Sequence, residues 1–213
     1  MAGGSGHRFG GMKQFRDLCG RPVASWSLAV ARAATDGAVL VVPAEDALSG
    51  GGSAEAAGLG ADLVVAGGPT RAASVRAGLD AVPDDAAIVV VHDAVRPLAD
   101  AALFDAVIDA VRSGAAGAIP TLPVSDTLKR VEGDRICSTI DRDGLVTVQT
   151  PQAFDAATLR RAHRDGGEAT DDAGLLEQLG VGVCTVVGDP RNVKVTRPED
   201  LELAAALLRE RPK

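Results

Sequence analysis

The 213-residue chain is 46% hydrophobic but only 2% aromatic, so its core must be built from Ala, Val and Leu, which suits parallel strands covered by helices. A net charge of −7 with no basic run argues against a dedicated nucleic-acid binder, and no apolar run approaches the roughly 20 residues that span a membrane. Cys19, Cys137 and Cys184 are scattered and His7, His92 and His163 lack metal-ligand spacing; with no recognisable signal segment, a reducing cytoplasm is expected.

The chain enters a glycine-rich loop at once. Met1-Ala2-Gly3-Gly4 has no strand before it, whereas a phosphate-binding loop normally hangs from one, so the expectation is a start further upstream or a fold lacking that strand. Val39–Val42 reads as a buried strand, followed by a helix and loop through Gly60. Leu63–Val65 is a second strand, and Thr70 opens a helix to about Val82. Ile88–Val91 is the strongest strand, apolar on both faces.

Asp100 caps a helix from Ala101 to Ser113, whose apolar Leu103, Val107, Ala110 and Val111 recur at helical spacing, and Gly114 stops it. Alternating strands and helices of this length predict βαβ units in one α/β domain over 1–213, with ligands at the carboxyl ends of the strands. Leu128–Val131 and Arg135–Cys137 flank a turn at Gly133 and predict a hairpin arm within about 124–148, whose free edges invite a second subunit. Helices near Asp155–His163 and Asp171–Leu179 and a strand at Val183–Val187 follow. A final helix is expected to open on a capping box with Thr196 as N-cap, Pro198 in the first turn and Glu199 at the third position.

Chemistry-bearing residues cluster where strands end. Gly3-Gly4-Ser5-Gly6-His7-Arg8 would let backbone N–H groups approach phosphate oxygens, and Arg8 and Lys13 add the cations a triphosphate requires. It is neither a P-loop, because no Gly-Lys-Ser/Thr follows, nor a dinucleotide fingerprint, because Phe9 stands at the third glycine. Gly67-Gly68-Pro69-Thr70-Arg71-Ala72-Ala73-Ser74 could expose backbone to a base edge, or be an ordinary turn capped by Thr70. His92-Asp93-Ala94-Val95-Arg96-Pro97 follows the most buried strand, and one carboxylate there plus substrate phosphates is how Mg²⁺ is usually held. His92 is expected to pack rather than catalyse. Arg142 and Lys194 supply two more cations, while Asp171-Asp172 has a bland alternative as negative charge at a helix N-terminus.

Taken together, Gly3-Gly4-Ser5-Gly6-x-Arg8, Lys13-Gln14-Phe15, His92-Asp93-Ala94-x-Arg96-Pro97, Asp126-Thr127-x-Lys129, Asp141-Arg142-x-Gly144-Leu145, Gln149-Thr150-Pro151-Gln152-x-Phe154, Thr170-Asp171-Asp172-Ala173 and Lys194-Val195-Thr196 closely resemble the 2-C-methyl-D-erythritol 4-phosphate cytidylyltransferases along essentially the whole chain. The resemblance implies a Rossmann-like nucleotidyltransferase fold, a mostly parallel sheet flanked by helices with a projecting β-arm that interlocks a homodimer. It implies transfer of CMP from CTP to methylerythritol phosphate with Mg²⁺ and release of pyrophosphate. By motif, Ala2, Gly3, Gly4 and Gly6 would line the CTP phosphates, Gly68, Ser74 and Ala94 would contact the nucleotide, and Asp93 would hold the metal. Arg8 and Lys13 would stabilise charge on the phosphates, and Arg142 and Lys194, with Thr150, Thr170 and Thr196, would position the second substrate. Arg96 and Thr127 would reach that substrate from the neighbouring subunit. Met12 and Pro69 depart from the family pattern, and the Arg8–Lys13 stretch is short.

Three other readings remain at this point. A ribitol 5-phosphate cytidylyltransferase would share the CTP half of the site. A catalytically silent nucleotide-binding module would have no use for Arg8, Lys13, Asp93 and Lys194, all of which are present. An NAD-dependent oxidoreductase is disfavoured by the missing third glycine.

Overall fold

The computed structural model describes residues 1–2, 12–44, 47, 58–165 and 167–211. The expected phosphate loop, with Gly3, Gly4, Gly6 and Arg8, lies outside the described residues, as does most of the helix and loop expected after Val42.

A single 3₁₀ turn, Lys13–Phe15, leads into a short ribbon of β1 (Asp17–Leu18) and β2 (Arg21–Pro22). Its two-residue turn, Cys19-Gly20, has both φ angles positive, the geometry that lets two antiparallel strands keep their natural twist. Helix α1 (Val23–Ala34) follows directly and buries Val23, Ala24, Ser25, Ser27 and Leu28. It has no counterpart among the expected elements.

Strands β3 (Val39–Val42) and β4 (Leu63–Ala66) pair in parallel with Val41 opposite Val65. Helix α2 (Arg71–Asp80) is capped by Thr70, whose hydroxyl accepts from the Ala73 N–H at 3.1 Å. After β5 (Ile88–Val91), α3 (Ala101–Arg112) begins on the Asp100 carboxylate, which accepts from the Leu103 N–H, and ends before Gly114 at φ +106°. Its Leu103, Phe104, Val107, Ile108 and Val111 form one buried face.

The remaining elements are β6 (Gly117–Pro123), β7 (Leu128–Glu132), β8 (Arg135–Ile140), β9 (Val146–Val148), β10 (Gln152–Asp155), α4 (Ala156–Asp165), α5 (Asp172–Gln178), β11 (Cys184–Val187) and α6 (Pro198–Arg209). Strands run β11-β6-β10-β5 across the main sheet, with β9 on the far end of β6. Strand β11 is parallel to β6, whereas β10 is antiparallel to both β6 and β5 and β9 is antiparallel to β6, so β9 and β10 run against the other three strands and β10 is wedged into the middle. Phe154 of β10 is fully buried, and a Cβ on Gly117 would approach its ring to 2.6 Å, which is why β6 starts on glycine.

Residues 1 and 2 lie where the leading strand was expected. The Ala2 N–H donates to the Val41 carbonyl of β3 at 2.8 Å, and the Ala94 N–H donates to the Met1 carbonyl at 2.9 Å. They thereby join the β3–β4 pair to the segment after β5.

The hairpin of β7 and β8 forms as predicted, with Gly133 at φ +60° in its turn and a register shift at Arg130/Val131. It exposes Val131 and Ile136, 58% and 66% accessible. The last helix corrects the expected cap. Its N-cap is Arg197, one residue later than Thr196, and the third position is Asp200 rather than Glu199. Arg197 has no side-chain acceptor, so only the reciprocal half of a capping box forms: the Asp200 carboxylate accepts from the backbone N–H groups of Thr196 (2.7 Å) and Arg197 (2.8 Å).

Candidate active site

The carboxyl ends of β4 and β5, the β9–β10 junction, the start of α5 and the loop after β11 converge on a cleft of about 740 Å³. Of the expected site residues, Ala2, Lys13, Gly68, Ser74, Asp93, Arg96, Thr150, Thr170 and Lys194 line it.

Asp93 is the centre of this wall. Its backbone N–H donates to the Thr150 hydroxyl at 3.0 Å, and its Oδ2 lies 2.7 Å from Lys194 Nζ and 3.9 Å from Arg96 Nε. Burial disfavours the charged carboxylate, but the charge and hydrogen bond of Lys194 outweigh it and hold the pKa at about 2. Asp93 is therefore ionised at neutral pH.

Lys194 is delivered by a loop stapled to the sheet through one amide. Gln149 Nε2 donates to the carbonyls of Asp189 (2.9 Å) and Asn192 (3.5 Å), and Gln149 Oε1 accepts from the Asp189 N–H (3.1 Å) and Asn192 Nδ2 (3.4 Å). Asn192 Nδ2 also donates to the Thr150 carbonyl, and Arg96 Nη1 donates to the Asn192 carbonyl at 2.8 Å. Gln149 and Asn192 sit within or beside motifs quoted above, yet nothing in a linear sequence marks them as partners.

His92 behaves as expected of a packed residue. Burial away from water pushes its pKa down to about 3, so the ring is neutral. Its Nδ1 lies 3.1 Å from the Thr150 hydroxyl, and its ring packs 5.2 Å from that of Phe104. It is not a base poised over the cleft.

Several expected contact residues are hydrogen-bonded within the fold or lie off the cleft. The Ser74 hydroxyl accepts from the Gly68 N–H and donates within the turn, toward the Thr70 carbonyl at 2.9 Å and the Gly68 carbonyl at 3.2 Å, so it is committed to holding the turn shut. Ala94 is buried and does not line the cleft; its N–H is spent on Met1 and its carbonyl accepts from Ser27 Oγ. Thr196 also lies outside the lining, its hydroxyl donating to the Lys194 carbonyl at 3.2 Å, because the segment is turning into α6.

Arg142 and Thr127, which flank the two ends of the hairpin, do not line the cleft of Asp93. They share a separate groove with Thr139, Ile140 and Asp141, and Arg142 donates to the Ser125 carbonyl. Arg96 is not on the arm: it is buried in the wall of its own chain's cleft, between Asp93 and the Asn192 carbonyl.

Asp171 and Asp172 have different fates. Asp171 is the N-cap of α5, accepting from the Gly174 N–H, and also accepts from Gln152 Nε2 at 3.0 Å. Asp172 is completely buried, with Oδ2 2.6 Å from Arg71 Nη2 and Oδ1 2.9 Å from His163 Nε2. Burial opposes its ionisation, but these two partners outweigh that and keep its pKa low. Asp172 stands in the first turn of α5, as the dipole reading has it, and its carboxylate also anchors a cleft-lining arginine.

Among the described residues no three metal-ligating side chains cluster. A single carboxylate such as that of Asp93 fits the way Mg²⁺ is commonly bound, together with waters and substrate phosphates.

The family model described as IspD, 2-C-methyl-D-erythritol 4-phosphate cytidylyltransferase, matches residues 1–210. A bifunctional enzyme IspD/IspF of Solidesulfovibrio magneticus is 45% identical over 94% of this chain and 54% of its own length. A 2-C-methyl-D-erythritol 4-phosphate cytidylyltransferase of Streptomyces coelicolor is 50% identical over 70% of this chain and 58% of its own length. The chain thus spans little more than half the length of these two relatives. The crystal structure of the Thermus thermophilus 2-C-methyl-D-erythritol 4-phosphate cytidylyltransferase superposes with a TM-score of 0.81 at 38% identity, over 92% of this chain and 94% of that one.

Proposed function

Because the chain belongs to the 2-C-methyl-D-erythritol 4-phosphate cytidylyltransferase family, we propose that it transfers CMP from CTP to 2-C-methyl-D-erythritol 4-phosphate and releases pyrophosphate, a step toward isoprenoid precursors. The observation that carries this reading is the ionised Asp93 paired with Lys194 in a cleft that also holds Lys13 and Arg96.

The chemistry asks little of a general base. A phosphate monoester has its second pKa near about 6, so the attacking oxygen is already largely ionised at neutral pH. The obstacle is to bring that dianion in line with a triphosphate. Lys194 is half-exposed and placed to take a phosphate oxygen in exchange for Asp93. Lys13 adds a second cation to the cleft, and buried Arg96 holds the Lys194 loop while keeping positive potential beside Asp93. A divalent cation such as Mg²⁺, held by Asp93, would neutralise charge on the phosphates.

The arm bears on a homodimer. Thr127 and Arg142 do not line their own chain's cleft; they flank the base of a hairpin that exposes Val131 and Ile136. Exchange of arms between two copies would bring these residues to the partner's cleft, and gel filtration giving a monomer would remove that contribution. The exposed free thiols of Cys19, Cys137 and Cys184 fit a reducing cytoplasm, and among the described residues no helix is long and apolar enough to cross a membrane.

The test is pyrophosphate release with CTP and Mg²⁺, comparing methylerythritol phosphate with ribitol 5-phosphate. Release with methylerythritol phosphate alone supports the proposal. Preference for ribitol 5-phosphate, or no release with either, refutes it.

A further inference from the structure

The turn between β4 and α2 presents Gly68, Pro69, Thr70, Arg71 and Ser74 to the cleft. Most of its polar capacity is already used. The Ser74 hydroxyl is spent on Gly68 and Thr70, and the Thr70 hydroxyl accepts from Ala73 and donates to Glu168 Oε1 at 2.9 Å. Proline offers no N–H. That leaves Arg71, whose side chain is 30% exposed and whose hydrogen bond among the described residues is the one from Nη2 to Asp172. A guanidinium has five N–H donors in a fixed fork, so most remain for a ligand.

The placement runs against local preference. Arg71 is the first residue of α2, where the helix dipole disfavours a cation. What holds it there is Asp172, a fully buried carboxylate 101 positions away in sequence. Such a carboxylate is costly unless every oxygen is partnered, and Asp172 has Arg71 on one oxygen and His163 on the other. His163 is itself buried, and its Nδ1 has no hydrogen-bond partner. His163 Nε2 is the ring atom that faces Asp172, so it donates and the carboxylate oxygen accepts. Asp172 thus fixes the direction of the Arg71 fork, and His163 fixes Asp172.

We propose that Arg71 is a further nucleotide-binding residue, donating to the phosphate chain of the triphosphate, and that Asp172 and His163 are its positioning residues. The inference rests on the cytidylyltransferase reading above. Arginine suits this task because its fork matches two phosphate oxygens at once, which a lysine cannot do.

The test is calorimetric binding of CTP and of cytidine to the full chain, with melting temperature measured alongside. Arg71→Ala is expected to weaken CTP at least tenfold and cytidine less than twofold. Arg71→Lys, which keeps the pair with Asp172, should still lose several-fold for CTP and serves if the alanine variant does not fold. His163→Leu should weaken CTP a few-fold, and His163→Gln, which restores a donor toward Asp172, should recover it. Unchanged CTP affinity in folded Arg71→Ala or Arg71→Lys overturns the proposal, as does an equal loss for cytidine. Failure of the wild-type chain to bind CTP overturns the cytidylyltransferase reading as well, which separates the two failures.

Discussion

The ammonium of Lys194 lies 2.7 Å from the carboxylate of Asp93, and among the described residues each is the nearest opposite charge the other has in the cleft. The two come from elements about a hundred residues apart, joined by the Gln149 amide and the Arg96 guanidinium. The pair keeps Asp93 ionised and Lys194 at the mouth of the cleft before any substrate arrives. On the proposed function, an incoming phosphate would take over Lys194.

Lys194→Ala should lower kcat about 100-fold or more, the scale of losing one preorganised charge at a reacting phosphate. The melting temperature should also fall, because Asp93 is left a mostly buried carboxylate without its nearest partner, so turnover is compared at a temperature where both proteins are folded. Steady-state kinetics beside a thermal melt reads both, and near-normal turnover would remove Lys194 from the chemistry.

The neutral, buried His92 makes stability depend on pH in a defined direction. Its pKa is about 3 in the folded protein against 6.5 for an ordinary imidazole. Between those values the unfolded chain carries the extra proton, so the contribution is complete above pH 6.5 and is lost as pH falls toward 3. One proton corresponds to a slope of about 1.4 kcal/mol per pH unit. Urea melts from about pH 7 to about pH 5 should show a steeper decline in the wild type than in His92→Asn, whose amide oxygen can still accept from Thr150. Parallel slopes would show that His92 does not set this dependence.

Gly117→Ala tests the packing under the reversed strand. The added methyl would have to displace the Phe154 ring, which is already fully buried. A loss of about 1–3 kcal/mol in chemical denaturation is expected, as for other overpacked cores. A stability within about 0.5 kcal/mol of wild type would mean that the ring has room to move.

Subunit mixing tests the arm. If arms are exchanged, a dimer of one Lys194→Ala chain and one Arg142→Ala chain contains one cleft with both groups intact. Two singly inactive proteins, unfolded and refolded together, should then recover roughly a quarter of wild-type turnover, since half of the two-fold dimers are mixed and each has one good site. No recovery in dimers shown to be mixed argues that both residues serve the same chain's cleft.

Much of the frame was legible because its signals are local. Strands β3, β4 and β5 are β-branched runs, and α2 and α3 carry Thr70 and Asp100 as side-chain caps, so their positions follow from a few adjacent residues. Helix α1 lacks such a start signal: it follows Pro22 with no side-chain cap and buries two serines among its apolar residues. Strand β10, four residues with Gln and Asp at its ends, is buried because β5 and β6 flank it, a fact of tertiary structure alone. The same limit applies to the site. Asp93 and Lys194 stand out by type and position, whereas the Arg71–Asp172–His163 chain and the commitment of Ser74 to its own turn depend on which segments meet. Arg142 matches its motif, but its place in a groove separate from that of Asp93 follows from the tertiary fold.

The Gln149 side chain works as an inserted peptide group, giving two hydrogen bonds and receiving two from the loop that delivers Lys194. An amide fits such a socket and its hydrolysis product does not. Replacing the nitrogen by an oxygen, through Gln149→Glu or slow deamidation in storage, would turn two attractions to the Asp189 and Asn192 carbonyls into repulsions. Ageing at this one position would then release the loop and yield an acidic form, separable by isoelectric focusing, that keeps its sheet while its turnover fades.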